Sequence, residues 1–304
     1  MSEQADELNE RFGLEGAVEF VEGPGGLTVA RLRRSSAAAT VALMGAHVLD
    51  YTPSGHGPVL WVSRHSRFKE GAPIRGGIPV CWPVFADQSD NPEMPLHGFA
   101  RRKTWTVAAT DEAEKGGAAL ELELRDDPQT LELWPHRFRL QLTVTLGRAL
   151  RVDLVAQNTD EQPWQCTGAL HSYFRVGDVK RVAVRGLDGV SYRDKTDEFR
   201  GKRQKGAVTI GAEVDRVYTD TTADCLIEDP VMERRIRVAK EGSRTTVVWN
   251  PWAEKARAMD DFGEAEYGEM LCVETANAAD EVVRLAPGEQ HALAAVISAE
   301  QGEG

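Results

Sequence analysis

The 304-residue chain predicts an all-β fold, a large antiparallel β-sandwich of two broad sheets with few short helices. Period-two alternation is the strongest local signal. Phe138, Leu140, Leu142, Val144 and Leu146 alternate with Arg139, Gln141, Thr143 and Thr145, the pattern of a strand with one buried and one wetted face. Long amphipathic helical patterns are scarce, and many short strands between turn signals indicate a sandwich or barrel. A βαβ nucleotide fold is excluded by the absence of GxGxxG, of GxxxxGK[ST] and of the helices it needs.

The elements follow in chain order. LTVARL (27–32) reads as a strand, and ATVALMGAHVLDY (39–51) as one long strand. PVLWVS (58–63), TWTVAAT (104–110) and the alternating ALELELR (119–125) follow. DPQTLELWPH is expected to hold a helical turn after Asp127. The strand at 138–146 meets Gly147-Arg148, and alternation resumes at Leu150, Val152 and Leu154, so the two read as a hairpin. RVAVRGL, RIRVAK, TTVVWN, MLCVET and ALAAVIS are further strands, and residues 260–267 another helical turn.

No Pro/Gly/Ser-rich linker or repeat divides the chain. A prior of about 150 residues per domain suggests two domains, but all-β folds run to about 250 residues as one. The reading is one domain over residues 1–304, with polar ends at about 1–15 and 299–304 expected to be disordered. The net charge of −12 argues against nucleic-acid and membrane partners. It also means that an anionic ligand needs a local basic cluster. Cys81, Cys166, Cys225 and Cys272 form no CxxC, which suits reduced thiols in a cytoplasmic protein. The N-terminus lacks the apolar core of a secretory signal, and no apolar run reaches the ~18 residues of a membrane span.

Several polar groups interrupt strand-like surroundings. His171 lies in GALHSYFRV; alone, it reads more readily as a satisfied core histidine than as a catalyst. Glu274 lies in the apolar run MLCVETAN, where a carboxylate is costly unless paired or used as a general base. Asp215 in VDRVY by itself suggests an ion pair. Arg75 in IRGGIPVCWP and Arg101 in PLHGFARR carry fork-shaped donors beside glycines and prolines. They suit phosphate or vicinal hydroxyls, although an Arg-Gly surface loop is the plainer reading of either alone. Trp82, Trp249 and Trp252 are stacking candidates or core residues. With no HxH, HExxH or GxSxG, a metal site and a serine nucleophile are not expected.

Nine segments, from GAHVLDY through VLWVSRHSRF, IRGGIPVCWPVF, LHGFARRKTW, LWPHRF, GALHSYFRV, VDRVY and VVWNPWAEKARAMDDF to MLCVETAN, run in order over residues ~40–280. Together they resemble the hexose-6-phosphate mutarotases, also called glucose-6-phosphate 1-epimerases, of the galactose mutarotase-like superfamily. The resemblance implies a galactose mutarotase-type sandwich and no metal or cofactor. It implies that His171 is the general acid, as imidazolium, and Glu274 the general base, as carboxylate. It further implies that His97, Asp215, Arg75 and Arg101 bind substrate, Arg101 on the phosphate side. The expected partner is a hexose 6-phosphate and the expected state a monomer. Whether Arg67, Lys69 or Arg102 also reaches phosphate stays open. The alternatives are a noncatalytic sugar-binding sandwich and an aldose 1-epimerase acting on free sugars; a metal-dependent cupin isomerase would want the absent HxH.

Overall fold

A computed structural model describes residues 2–302. Two antiparallel sheets dominate. The nine-stranded sheet runs in the order Val208–Thr209, Ala183–Arg185, Cys225–Asp229, Arg234–Glu241, Gln290–Gln301, Leu150–Asn158, Phe138–Leu146, Gly117–Arg125, Thr106–Ala113. The eight-stranded sheet runs Arg200–Arg203, Ser191–Asp194, Val214–Tyr218, Thr245–Asn250, Met270–Asn277, Gly168–Leu170, Val80–Cys81, with Tyr173–Arg175 also paired to Met270–Asn277. A four-stranded sheet from Val18 to Pro53 and a small two-stranded one complete the set.

The alternating segments become the centre of the nine-stranded sheet. Leu146 pairs with Leu150 and Phe138 with Asn158, so the predicted hairpin forms. Its apolar face (Leu140, Leu142, Val144, Val152, Leu154) shares one core with Leu170, Phe174, Val248, Leu271 and Val273 of the eight-stranded sheet. The other face of that sheet carries a second cluster, including Trp61, Tyr173, Val217, Val247, Trp249 and Cys272. All eight residues of Met270–Asn277 are therefore buried, and this strand shows an apolar run rather than alternation.

The structure corrects several element boundaries. The single strand expected over residues 39–51 is a hairpin, Ala37–Ala42 paired to His47–Pro53. The chain reverses where Gly45 and Ala46 adopt φ of 76° and 47°. Residues 58–63 form only isolated bridges, Leu60 to Phe174 and Val62 to Gly76. The expected turn after Asp127 is the helix Pro128–Leu133, closed by an Asp127–Thr130 capping box. In the acidic stretch only Glu266–Glu269 is helical, as a 3-10 turn.

The polar ends are ordered as well. Glu3–Phe12 is a helix capped by Ser2, with Ala5 fully buried and Asn9 exchanging 2.7 Å hydrogen bonds with the backbone of Phe20. Its signals were present in the sequence: Ser before, acids in the first turn, Arg11 in the last and Gly13 beyond. Residues 299–301 continue the final strand, with Gln301 paired to Arg234. Met1, Glu303 and Gly304 lie outside the described residues.

Candidate active site

Register places the site on the outer face of the eight-stranded sheet. Asp215 pairs with Trp249, Trp249 with Cys272, and Cys272 with Tyr173, so these four residues form one cross-strand row. One step along, Val217 pairs with Val247 and Val247 with Glu274. Because the side-chain period is two, Glu274 joins Cys272 on this face. The strand beside it breaks between Leu170 and Tyr173, and His171 occupies the break. His171 Nδ1 lies 3.4 Å from Glu274 Oε1. The imidazole stacks on Tyr173, with ring centroids 4.8 Å apart and planes 9° from parallel, and meets Trp249 edge-on.

His171 and Glu274 are both buried, and among the described residues His171 Nδ1 and Glu274 Oε2 have no hydrogen-bond partner. Burial, then the negative charge of Asp215, pushes the Glu274 carboxyl well above the ordinary carboxylate range. Burial, then His97, Arg101 and Arg75, drives the His171 imidazole well below its usual value. Burial therefore opposes charge on both groups, favouring the protonated form of Glu274 and the neutral form of His171. Arg101 and Arg75 add to burial in opposing an imidazolium at His171, and an ion pair with Glu274 out of water is costly.

The structure brings all six sequence-predicted residues to this region. His97 packs edge-on against His171 at 5.4 Å between centroids. Its Nδ1 accepts from the Ala86 N–H at 3.1 Å and its own N–H donates to the Ala86 carbonyl at 2.8 Å, so Nε2 carries the proton of the neutral ring. Burial, with Arg101, Lys195 and Arg75, lowers its pKa to about 2. Gly98 follows with φ 73°, and a Cβ there would lie 2.1 Å from the Trp82 carbonyl oxygen; only glycine allows that approach. Arg101 is buried, donates from Nη2 to the Leu96 carbonyl at 2.8 Å and leaves Nε unpartnered. Asp215 pairs with Lys195 at 3.2 Å, and burial raises its pKa.

Arg75 reaches the row from a loop. Gly77, at φ 62°, lets that loop pass 2.2 Å from the Val48 carbonyl, measured at an added Cβ. The guanidinium donates from Nη1 to the Tyr173 hydroxyl at 3.0 Å and from Nε to Asp261 at 3.2 Å. The open candidates lie further out. Arg67 is exposed and pairs with Asp260 at 3.4 Å, Arg102 donates to the Gly71 carbonyl, and Lys69 is exposed. Trp82 is a core residue packed against Phe99, Trp134, Phe138 and Trp164.

Sequence reasoning missed Tyr173, Lys195, Asp261 and Glu266. Tyr173 had a usable signal, two residues after His171 on an alternating strand; the others lie in loops or short turns, where spacing says nothing about contact. Lys195 and Phe85 help to line a cavity of about 170 Å³, with Arg193, Phe199 and Val217. Larger, more open clefts of about 460 and 540 Å³ lie along Asn9–Arg33 and beside Leu49, Leu60 and Phe68, away from the His171–Glu274 pair. Cys272 Sγ lies with His171 and Glu274, their ligand atoms all within 4.8 Å. A cation there would need the thiolate, which burial and Glu274 strongly disfavour.

Glu266 staples the loops that flank the site. Its buried carboxylate accepts from the Ser63 hydroxyl at 2.7 Å, the Arg64 N–H at 3.1 Å and the Gly263 N–H at 2.9 Å. Burial alone would raise its pKa, but these donors and the Arg64 charge lower it on balance. Glu266→Ala is expected to cost about 3 kcal/mol in a denaturant melt, because three donors lose a charged acceptor. A depressed folded-state pKa stabilises above the unfolded value of about 4.3 and loses that stabilisation as pH falls through the folded value. The stability gap between wild type and Glu266→Gln should therefore shrink below about pH 4; a pH-independent gap would assign Glu266 a purely steric role.

Such a site, a carboxyl and an imidazole side by side on one face of an antiparallel sandwich with cations nearby, has the make-up of an acid–base enzyme. Residues 29–298 match the aldose 1-epimerase family; the chain belongs to that family and is an isomerase of the mutarotase type. A relative from Cenchrus ciliaris is 37% identical over 90% of this chain and 84% of its own, and one from Escherichia coli K12 37% identical over 80% of each. Both bear the name "Putative glucose-6-phosphate 1-epimerase". Among solved structures, a "putative mutarotase" from Salmonella typhimurium superposes with a TM-score of 0.88 at 32% identity, covering 95% of this chain and 96% of that one. A galactose mutarotase-like protein from Lactobacillus casei, at 15% identity and TM-score 0.71 over 90% of this chain and 100% of its own, shares the fold.

Proposed function

We propose that this isomerase interconverts the α and β anomers of hexose 6-phosphates, glucose 6-phosphate first among them. The observation that carries the reading is the His171–Glu274 pair, 3.4 Å apart, with Arg75 and Arg101 close enough to bias its charge. The names of the 37% identical relatives support the substrate.

Ring opening needs one base and one acid. Glu274 takes the proton of the anomeric O1 hydroxyl while His171 protonates the ring oxygen O5, and the C1–O5 bond breaks. The open aldehyde rotates about C1–C2 and recloses on its other face, with both proton transfers reversed, so the pair ends as it began. This requires the pair's one proton to sit on His171 at the start, whereas burial in the free pocket favours the neutral pair, with the proton on Glu274. A phosphate dianion beside Arg75 and Arg101 cancels much of the positive potential that disfavours imidazolium. Substrate binding therefore moves the proton across the pair. His97, as a neutral Nε2–H donor, and Asp215 hold the sugar; Arg75 and Arg101 hold the phosphate.

The chain acts as one domain, supported by a single apolar cluster that runs from Ala5 to Ile297. We place it in the cytoplasm as a monomer without nucleic-acid or membrane partners, on its net charge of −12, its four unpaired cysteines and the lack of any helix long and apolar enough to cross a membrane among the described residues.

The test is NMR exchange between anomers of glucose 6-phosphate, galactose 6-phosphate and free glucose, with and without protein. Acceleration much stronger on the phosphorylated sugars than on free glucose supports the reading. Acceleration on free sugars alone keeps the pair and discards the phosphate site; none at all favours a sugar-binding protein.

A further inference from the structure

Asp261 stands out because it occupies the flank of a guanidinium assigned to substrate. Its carboxylate takes the Nε–H of Arg75 at 3.2 Å on one oxygen and lies 3.2 Å from Nη2 on the other, a side-on bidentate pair. The opposite corner of the guanidinium, Nη1, donates to the Tyr173 hydroxyl at 3.0 Å, and Tyr173 stacks on His171. Arg75 is held at its backbone too: its N–H donates to Ser66 Oγ at 2.8 Å and its carbonyl accepts from the Ser63 N–H at 3.0 Å.

The loop that bears Asp261 has no regular structure between Trp252–Arg257 and Glu266–Glu269. Glu266 ties it to Ser63 and Arg64 through the bonds described above, so the two halves of the Arg75–Asp261 pair ride on segments stapled to each other. Phe262, next to Asp261, packs on Trp61 at 5.0 Å between ring centroids. With Nε and one edge of Nη2 taken by Asp261 and one Nη1 proton by Tyr173, one hydrogen remains on each of Nη1 and Nη2, and that of Nη2 faces the Nη1–Nη2 end.

We propose that Asp261 is a positioning residue that aims the Nη1–Nη2 end of Arg75 at the phosphate of the substrate and so sets the preference for phosphorylated sugars. The inference rests on the phosphate reading given above. A carboxylate in side-on contact leaves that end of the fork free and removes the rotational freedom that a long side chain would otherwise lose on binding. The positive charge is partly balanced, so the pocket attracts phosphate by geometry more than by raw charge.

The experiment compares wild type, Asp261→Asn and Asp261→Glu by anomer-exchange kinetics on glucose 6-phosphate and on glucose. Inhibition of glucose turnover by inorganic phosphate gives a second probe of the anion site. Asp261→Asn is expected to raise KM for glucose 6-phosphate about 10- to 100-fold, the loss of a charge-assisted pair, with kcat little changed and glucose kinetics unmoved. It should weaken phosphate inhibition by the same factor, and Asp261→Glu should recover part of both. A merely structural role would depress both sugars together. A lower KM or tighter phosphate inhibition in Asp261→Asn would show that Asp261 competes with phosphate, and would overturn the proposal. If Asp261→Asn does not fold, Asp261→Glu carries the test: a selective rise in KM for the phosphorylated sugar supports positioning, and unchanged kinetics reject it. Wild type that treats the two sugars alike defeats the phosphate reading and the inference together, whereas a selective wild type with an unaffected Asp261→Asn defeats the inference alone.

Discussion

Glu274→Gln or His171→Asn is expected to slow anomer exchange about 10²–10⁴-fold, the usual contribution of a positioned acid or base. Gln keeps the shape of the carboxyl but cannot give or take the proton, and Asn removes the imidazole without burying a charge. Both replacements put a neutral group where burial opposes charge, so the fold should survive and circular dichroism and melting should stay near wild type. Glu274 Oε2 and His171 Nδ1 are buried without hydrogen-bond partners among the described residues, so neither replacement removes a satisfied buried bond. The two effects should not multiply in the double variant, because one proton passes between the pair and either loss breaks the relay. A near-normal rate in either single variant would sink that residue's role.

Arg101→Ala is expected to lower kcat/KM for glucose 6-phosphate about 10- to 100-fold, as loss of a charge-assisted contact, and to change free glucose far less. The structure sharpens this expectation. Arg101 is only 8% exposed, one nitrogen donates to the Leu96 carbonyl and Nε has no partner. A buried cation with an unmade hydrogen bond is expensive, and burial lowers its pKa. A chain with net charge −12 retains such a group at low cost only if an anion completes it. Arg101→Lys keeps the charge and loses the fork, so it should fall between wild type and Ala. Equal losses on both sugars would assign Arg101 to structure.

The two broad sheets were legible because their strands satisfy local rules. The nine-stranded sheet has a wet face, so Phe138–Leu146 and Leu150–Asn158 alternate and advertise both strand and register. Where both faces are covered the signal fades: Met270–Asn277 reads as an apolar run, and the depth of Glu274 inside it is the only hint of use. The strand expected over residues 39–51 failed for a related reason. Apolar residues continue straight through the turn at Gly45 and Ala46, because that turn is itself buried.

The candidate residues were found through segments that kept their own local identity: His171 in LHSYF, Glu274 in CVET, His97 and Arg101 in LHGFAR, Arg75 in IRGG and Asp215 in DRVY. The sequence by itself determined the fold class and the need for a local basic cluster in an acidic chain, which follow from residue type and near-neighbour spacing, while the six positions were singled out by the resemblance of whole segments to a family. Only the tertiary structure decided what those groups do to one another. It placed Asp261 and Glu266 against partners 186 and 203 residues away and set Lys195 on Asp215. It also buried His171 and Glu274 so deeply that charge on either is opposed. A pKa and an ion pair depend on burial and on distances through space, and cross-strand register brings together residues whose separation along the chain carries no trace of their contact.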